Sequence, residues 1–261
     1  AIRRYYPDVV NTRRPVGQNP PPGAIIDYVL DPAPAGEVTL DILDKEARVI
    51  RHLSSTTTKK LAQPPEWPDQ IVPNDLIPAK AGMNRLVWDL RMDDPDPIPG
   101  AFYSGIPPRG PIVAPGRYQV RLTLAGQSRT APLTVIADPR VAGQAAAIEA
   151  KTALAVATAK DIDALHKAVN QIRAARGRPA STPPSGELDS IEGDLMQVNM
   201  KGSEANLAFP GMLNEQYAAF AAGLEDADTP PTRQQQALYD SLHARLEAQL
   251  KRWAALRSAE R

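Results

Sequence analysis

In the stretch Asn84–Arg91, NRLVWDLR, apolar side chains occupy every second position from Leu86 to Leu90, and the positions flanking them are polar except at Val87; this pattern indicates the fold of the first half of the chain. In an extended strand successive side chains point to opposite sides, so Leu86, Trp88 and Leu90 share one face. We therefore expect a strand with one buried face, and we interpret Trp88 as a core residue rather than a binding residue.

Five further short apolar or alternating runs predict strands around this one. They lie at Ala24–Leu30, Glu37–Leu43, Arg48–Leu53, Arg117–Leu124 and Ala131–Ala137. The connections at residues 43–47 and 125–127 have the length of hairpin turns, which predicts antiparallel neighbours there. Six short strands without intervening helices favour an antiparallel β-sandwich over a βαβ fold.

Proline marks a boundary within the chain, since 21 of the 27 prolines precede Val141 and six follow it. Proline fixes φ and lacks an N–H, so it suits loops and strand edges, whereas the alanine that dominates the second half favours helix. The sequence predicts one domain over residues 1–140 and a second over residues 141–261. Within the first, Ser54–Pro78 is expected to form a long surface excursion.

The second half carries apolar stripes at helical spacing. Ile148, Ala155, Ile162 and Val169 recur every seven residues and predict one helix from about Gln144 to Arg176. The remaining stripes predict two shorter helices and one long final helix; they consist of Leu188, Ile191, Leu195 and Val198, then Met212, Leu213, Tyr217, Phe220 and Leu224, then Leu238, Leu242, Leu246, Leu250 and Trp253. The fold class expected is α+β, an Ig-like antiparallel β-sandwich followed by an antiparallel helical bundle.

Composition narrows the functional classes. The 30 basic and 30 acidic side chains balance, so no strong field attracts nucleic acid. No apolar run approaches the roughly 20 residues that span a bilayer, so no transmembrane segment is expected. Ala1–Val10 lacks the apolar core of a signal peptide, which we interpret as a start at a processing or cloning boundary.

Common catalytic signatures are missing from the sequence. His52, His166 and His243 have no metal-ligand spacing, and there is no G-x-S-x-G elbow, P-loop or G-x-G-x-x-G fingerprint. We therefore expect a non-catalytic protein without a catalytic, cofactor-binding or metal site. A hydrolase in its own right would need a cleft with coupled carboxylates, which sequence alone does not show.

One acidic loop leaves a calcium site open. Asp93, Asp94 and Asp96 could supply oxygen ligands, but Pro95 and Pro97 favour a rigid turn instead.

Three residues are candidates for contact with a ligand or partner: Trp67, Tyr103 and Arg109. Trp67 lies in the long excursion, where its ring either contacts a ligand or pins the loop to the sandwich. Tyr103 lies near the proline-rich loops, and Arg109 is expected at a loop tip, where a solvated charge is the simpler interpretation.

Two motifs resemble a known family. AGMNRLVWDLR (81–91) and APGRYQVRL (114–122) resemble the G-x-N-x-x-x-W-D and P-G-x-Y-x-V-x-L pattern of Ig-like sandwiches of the flagellar hook-cap type. With NPPPGA (19–24), GEVTL (36–40) and AVNQIR (168–173), the chain more specifically resembles the C-terminal region of bacterial sortilin-like, sialidase-like repeat proteins.

The resemblance implies an accessory role. In that family a large β-propeller precedes this region, which implies export, a periplasmic or extracellular location, and a protein partner or upstream β-propeller as the docking surface. No S-x-D-x-G-x-T-W box occurs in the chain, so hydrolase activity is not carried over. The alternative is a carbohydrate-binding module of a sialidase-like glycoside hydrolase, with a glycan contacting Trp67 and Tyr103.

Overall fold

A computed structural model of the chain describes residues 23–57, 76–105, 107–176 and 185–259. In this part of the chain, six strands precede four α-helices, with short 3₁₀ helices at Pro139–Gln144 and Ser203–Leu207. The strands are β1 (Ala24–Leu30), β2 (Val38–Leu43), β3 (Val49–Ser54), β4 (Gly82–Trp88), β5 (Gly116–Leu124) and β6 (Gln127–Val135). The helices are α1 (Ala145–Arg176), α2 (Ser185–Leu195), α3 (Leu213–Leu224) and α4 (Arg233–Ala259). The expected class, strands followed by helices, is confirmed.

The chain divides into two compact units. The described residues of the first unit are 23–57, 76–93 and 112–149, and those of the second are 94–105, 107–111, 150–176 and 185–259. The boundary expected at residue 140 therefore differs from this division in two ways. Residues 94–111 group with the helices, and the later boundary lies inside the first turns of α1.

Hydrogen bonds from α1 explain why the proline-rich stretch DPDPIPG, residues 94–100, belongs to the helical unit. Prolines have no N–H to donate, so this stretch offers mainly carbonyl oxygens. Three side chains on successive turns of α1, those of His166, Asn170 and Arg173, bind such carbonyls. The distances are 2.6 Å from His166 Nδ1 to Asp96 O, 3.1 Å from Asn170 Nδ2 to Pro97 O and 2.7 Å from Arg173 Nη1 to Pro99 O.

The first unit contains two antiparallel sheets. One has the strand order β3-β2-β5-β6, and the other pairs β1 with β4. In β2 the alternate residues Val38, Leu40 and Ile42 are fully buried, as the period of two in a strand requires. Both sheets contribute side chains to one hydrophobic cluster, which includes Tyr28, Leu40, Trp88 and Val120.

Trp88 is the largest side chain in that cluster. It is 1% exposed, its Nε1 donates to Arg91 O at 2.8 Å, and its ring meets Tyr118 edge-on with centroids 6.2 Å apart. The prediction that Trp88 is a core residue is confirmed. The predicted strand was too long, because the backbone leaves the extended region at Leu90, whose φ is 63°, and β4 ends at Trp88.

The hairpin between β5 and β6 is tighter than the sequence suggests. Ala125 and Gly126 form a two-residue turn with φ of 49° and 77°, and this geometry matches the right-handed twist of the flanking strands. The short turn lets β6 begin at Gln127, four residues before the predicted start.

The helices of the second unit share one hydrophobic cluster, which includes Leu165, Ile191, Tyr217 and Leu246. Most residues of the predicted stripes are buried, Ala155, Met212 and Leu250 are partly buried, and two are exposed. Val198 follows the end of α2 at Leu195 and is exposed, and Leu238 on α4 is 48% exposed. At about 100° per residue, Leu238 lies some 80° around the helix from Leu246, which carries it off the buried face.

Candidate functional site

The structure places two of the three candidate contact residues, and Trp67 lies outside the described residues. Tyr103 is 2% exposed in the core of the helical unit, so its ring is not available to stack on a glycan. Arg109 is half-buried rather than fully solvated at a loop tip. The structure therefore does not bring Tyr103 and Arg109 together as an exposed ligand surface.

Tyr103 belongs to a buried polar cluster with His166. The His166 Nδ1 faces the carbonyl of Asp96, which can only accept, so Nδ1 carries the proton and Nε2 accepts from Tyr103 OH at 3.1 Å. Burial lowers the pKa of His166 and raises the pKa of Tyr103, which keeps both groups neutral. Both ring nitrogens are used inside the unit, so this histidine serves packing rather than proton transfer to a ligand.

A second cluster gathers around one carboxylate oxygen. Asp161 Oδ2 lies 2.9 Å from Tyr217 OH and 2.9 Å from His243 Nδ1. The ring of Tyr239 stacks on His243 at 5.6 Å, and burial together with the Asp161 charge raises the pKa of Tyr239 to about 12. These residues come from α1, α3 and α4, so the carboxylate joins three helices.

A third cluster covers the outer side of the four-stranded sheet. Asp41 on β2 is 7% exposed; it accepts from Arg121 on β5 at 2.7 Å and contacts His52 Nδ1 on β3 at 2.6 Å. The side chains lie in one cross-strand row, because Asp41 pairs with His52 on one side and with Arg121 on the other. This part of the sheet face is polar, and Asp41 binds the side chains on both sides of it.

The fourth cluster lines an open cleft of about 630 Å³ in the helical unit. Glu192, whose side chain is 3% exposed, binds Arg173 Nε at 2.6 Å and an Arg176 terminal nitrogen at 2.5 Å. Arg176 also binds Asp189 at 2.7 Å. The two carboxylates, Glu192 and Asp189, together balance the two guanidinium charges, so both arginines that line the cleft are already paired.

No metal centre forms among the described residues. Within residues 23–57, 76–105, 107–176 and 185–259, no three His, Cys, Asp or Glu side chains are grouped so that they could hold a metal ion. In the acidic loop, Asp93 Oδ1 accepts from His52 N at 3.2 Å, and Asp94 Oδ1 accepts from Gly110 N at 2.6 Å. These carboxylates accept hydrogen bonds from backbone N–H groups and so hold the loop in place, in keeping with the rigid-turn interpretation. None of the described helices combines the length and apolarity needed to cross a bilayer.

The exposed side of the β1–β4 sheet is different from all of these. We call it the β1–β4 outer face, and it consists of Ile25, Asp27, Val29, Met83, Arg85 and Val87. Four of the six are apolar, with exposed fractions of 46% for Ile25, 66% for Val29, 65% for Met83 and 36% for Val87. Sheets that face water usually carry polar side chains on that face, so an apolar face indicates a contact surface.

A central ion pair divides the apolar part of this face. Asp27 accepts two hydrogen bonds from Arg85, from Nε at 2.7 Å and from Nη2 at 2.8 Å. Both side chains are well exposed, so the pair is screened by water and contributes little to stability. Its bidentate geometry fixes the position of both charges between the apolar rows.

An open groove adjoins one end of the face. It has a volume of about 1130 Å³ and includes Val29, the β1–β2 connection at residues 31–36, and Leu122 and Leu124 of β5. Its lining is mainly apolar and proline-rich, so it extends the apolar surface beyond Val29.

The comparisons with protein-family models, curated proteins and solved structures each return no significant match to this chain. The candidate site therefore follows from geometry and surface chemistry alone.

Sequence reasoning missed the β1–β4 outer face, although its signal is present. In β1, AIIDYVL, every residue but Asp27 is apolar or aromatic, so the strand does not alternate with polar residues as a half-solvated strand should. Such a continuous run indicates that both faces of a strand have apolar surroundings.

Proposed function

We propose that this chain is a non-catalytic interaction module whose β1–β4 outer face docks on a protein surface. The observation that carries the proposal is the exposure of four apolar side chains in two rows around the Asp27–Arg85 pair. Apolar patches of more than a few hundred Å² on soluble proteins mark contact sites, and the groove that includes Val29 enlarges the apolar surface of this face.

The contrast between the two sheets of the first unit supports the proposal. The four-stranded sheet presents the polar row of His52, Asp41 and Arg121, in which Asp41 binds both neighbours. The two-stranded sheet presents Val29 and Met83, each about two-thirds exposed. Both surfaces belong to the same unit and face the same solvent. The apolar surface is therefore the candidate for burial by a partner.

The internal use of two buried titratable groups supports a non-catalytic role. Both ring nitrogens of the buried His166 bind protein oxygens, and the buried Glu192 binds two arginines. A catalytic acid or base needs a free atom directed at a substrate in a cleft, and these contacts instead join elements of the fold.

The finer identity of the module rests on the sequence resemblance. We infer that the two sheets form an Ig-like sandwich of the flagellar hook-cap type and that the helices form an antiparallel bundle. The motifs at 81–91 and 114–122 support the first inference, and the shared helical core supports the second. By the same resemblance, we propose that the module belongs to an exported bacterial protein, periplasmic or extracellular, and docks on an upstream β-propeller or a partner subunit.

Site-specific photocrosslinking in the native polypeptide tests the docking surface. A photoreactive amino acid is placed at Val29 or Met83, and a matched control is placed at Thr130, an exposed position on β6 of the same unit. We expect the first two positions to form a crosslink that excess unlabelled chain suppresses, with mass spectrometry locating the partner peptide. Crosslinking at Val29 and Met83 no stronger than at Thr130 would contradict the proposal.

A further inference from the structure

We propose that the β1–β4 outer face associates with the same face of a second copy of this chain, around a two-fold axis parallel to the strands. This inference rests on the proposed function, because it names the partner of the same surface. It is carried by the order in which apolar and charged residues occur on the two strands.

The face consists of three cross-strand rows. The register pairs Ile25 with Val87, Asp27 with Arg85 and Val29 with Met83. Each row therefore holds one residue of β1 and one residue of β4 at the same level along the strands. The charged row lies in the middle, and an apolar row lies on each side of it.

A two-fold axis midway between the strands and parallel to them exchanges β1 and β4 between copies. It places each residue opposite the copy of its own cross-strand partner, so Asp27 lies opposite Arg85 and Val29 opposite Met83. The apolar rows meet apolar rows, and the four charges of the middle rows alternate in sign. A face that complements itself in this way meets the requirement for an isologous interface.

The charges also exclude the other symmetric arrangement. A two-fold axis in the same plane but perpendicular to the strands would place β1 opposite β1, with Asp27 facing Asp27 and Arg85 facing Arg85. Like charges in a contact oppose association and select against that arrangement. The charges of the Asp27–Arg85 row therefore determine the relative orientation of the two copies.

The twist of packed sheets is compatible with this arrangement. Facing sheets are rotated by about 30°, and rows on one face of a strand are about 6.6 Å apart. The rotation therefore shifts the outer rows by only about 3 Å, within reach of the Met83 and Ile25 side chains. This rotation is about the normal to the two sheets, which passes through the middle row, so the middle row does not shift.

The size of the face sets the expected strength. Two strands of seven residues cover on the order of 20 Å by 10 Å, well below the roughly 800 Å² per partner of a stable complex. We therefore expect weak, concentration-dependent association rather than a permanent dimer.

Charge-swapped variants test the arrangement. Asp27→Arg gives the face two positive charges, and Arg85→Asp gives it two negative charges. Each variant should repel itself, whereas an equimolar mixture should associate because opposite charges again face one another. Glu46→Arg, at an exposed position in the β2–β3 turn, is the matched control, since it changes the net charge by as much as Asp27→Arg does.

Sedimentation velocity of the purified chain between about 10 µM and 1 mM provides the measurement, with circular dichroism to verify folding. We expect the weight-average sedimentation coefficient of the wild type and of Glu46→Arg to rise with concentration. Each face variant alone should associate at least about tenfold more weakly, and the mixture should recover the wild-type rise. A wild type that stays monomeric to 1 mM, or a mixture that fails to recover, would overturn the proposal.

The photocrosslinking experiment separates this failure from failure of the proposed function. Crosslinks from Val29 to a different polypeptide, with a monomeric chain, would overturn self-association and leave the docking function intact. Crosslinks at no position, with a monomeric chain, would overturn both.

Discussion

Acidification should destabilise the helical unit through His166. The neutral ring donates from Nδ1 to Asp96 O and accepts at Nε2 from Tyr103 OH, so a proton added at Nε2 would face an O–H donor. Burial lowers the pKa of His166, and this effect outweighs the Asp96 hydrogen bond and the Asp163 charge, which raise it. The pKa of a histidine in the unfolded chain is about 6.5, so below this pH His166 binds a proton in the unfolded chain more readily than in the folded chain.

The sign and size of the effect follow from proton linkage. Because the folded pKa is below the unfolded one, the stabilisation is fully present above pH 6.5 and is lost as the pH falls. For one proton and an unfolded pKa of about 6.5, the free energy of unfolding falls by at most about 2 kcal/mol between pH 7.5 and pH 5. The slope cannot exceed about 1.4 kcal/mol per pH unit for a single proton.

Urea denaturation at a series of pH values, monitored by circular dichroism at 222 nm, measures this loss of stability in the helices. His166→Gln is the informative variant, because its amide can donate to Asp96 O and accept from Tyr103 without titrating. We expect it to lose about 1–2 kcal/mol at pH 7.5 and to depend less on pH than the wild type. His52→Gln, at a half-exposed histidine of the other unit, is the control. A His166→Gln variant whose stability falls with pH as steeply as that of the wild type would show that His166 is not the titrating group.

Two further predictions concern the contrast between buried and exposed groups. Leu40→Ala should lower the free energy of unfolding by about 2–5 kcal/mol because Leu40 is fully buried, whereas exposed Met83→Ala should change it by less than about 0.5 kcal/mol. Equilibrium denaturation compares the two variants, and an equal loss of stability would mean that Met83 is a core residue. Glu192→Gln should lower the free energy of unfolding by about 2 kcal/mol, less than the loss of a fully buried ion pair, because the two arginines that it releases are about one-third exposed. Thermal unfolding in low and high salt measures this loss of stability, and an unchanged stability would show that the cluster is dispensable.

Much of the secondary structure could be predicted because it follows from local periodicity. β1 and α1 have boundaries within one residue of those expected, since Ala24–Leu30 is a continuous apolar run and the α1 stripe persists over many turns. The burial of Trp88 also followed from the alternation of its strand. These features depend on residues that are close together in the chain.

The errors arose where distant residues decide the outcome. Tyr103 appeared to be a loop aromatic, but its hydroxyl meets His166, which lies 63 positions away. Residues 94–111 appeared to belong with the strands, but α1 supplies the donors that their carbonyls need. Neither of these tertiary contacts is encoded in a local pattern. The error at Leu238 has a local cause, because each step of four residues advances about 40° around α4 and the accumulated rotation exposes this side chain.

The candidate site was hidden for a related reason. Val29 and Met83 are 54 positions apart, and only the pairing of β1 with β4 places them in one row. The sequence indicates that both are apolar, which ordinarily predicts burial. Their exposure depends on which side of the sheet the core occupies.

Hydroxyl-radical footprinting of the methionines tests docking through the β1–β4 outer face. In the dilute isolated chain, Met83 should oxidise much faster than Met196 and Met200, because it is 65% exposed and they are each 2% exposed. When the native partner is bound, we expect oxidation of Met83 to fall severalfold while oxidation of the buried methionines stays unchanged. Equal oxidation of Met83 in the isolated chain and in the partner-bound chain would contradict docking through this face.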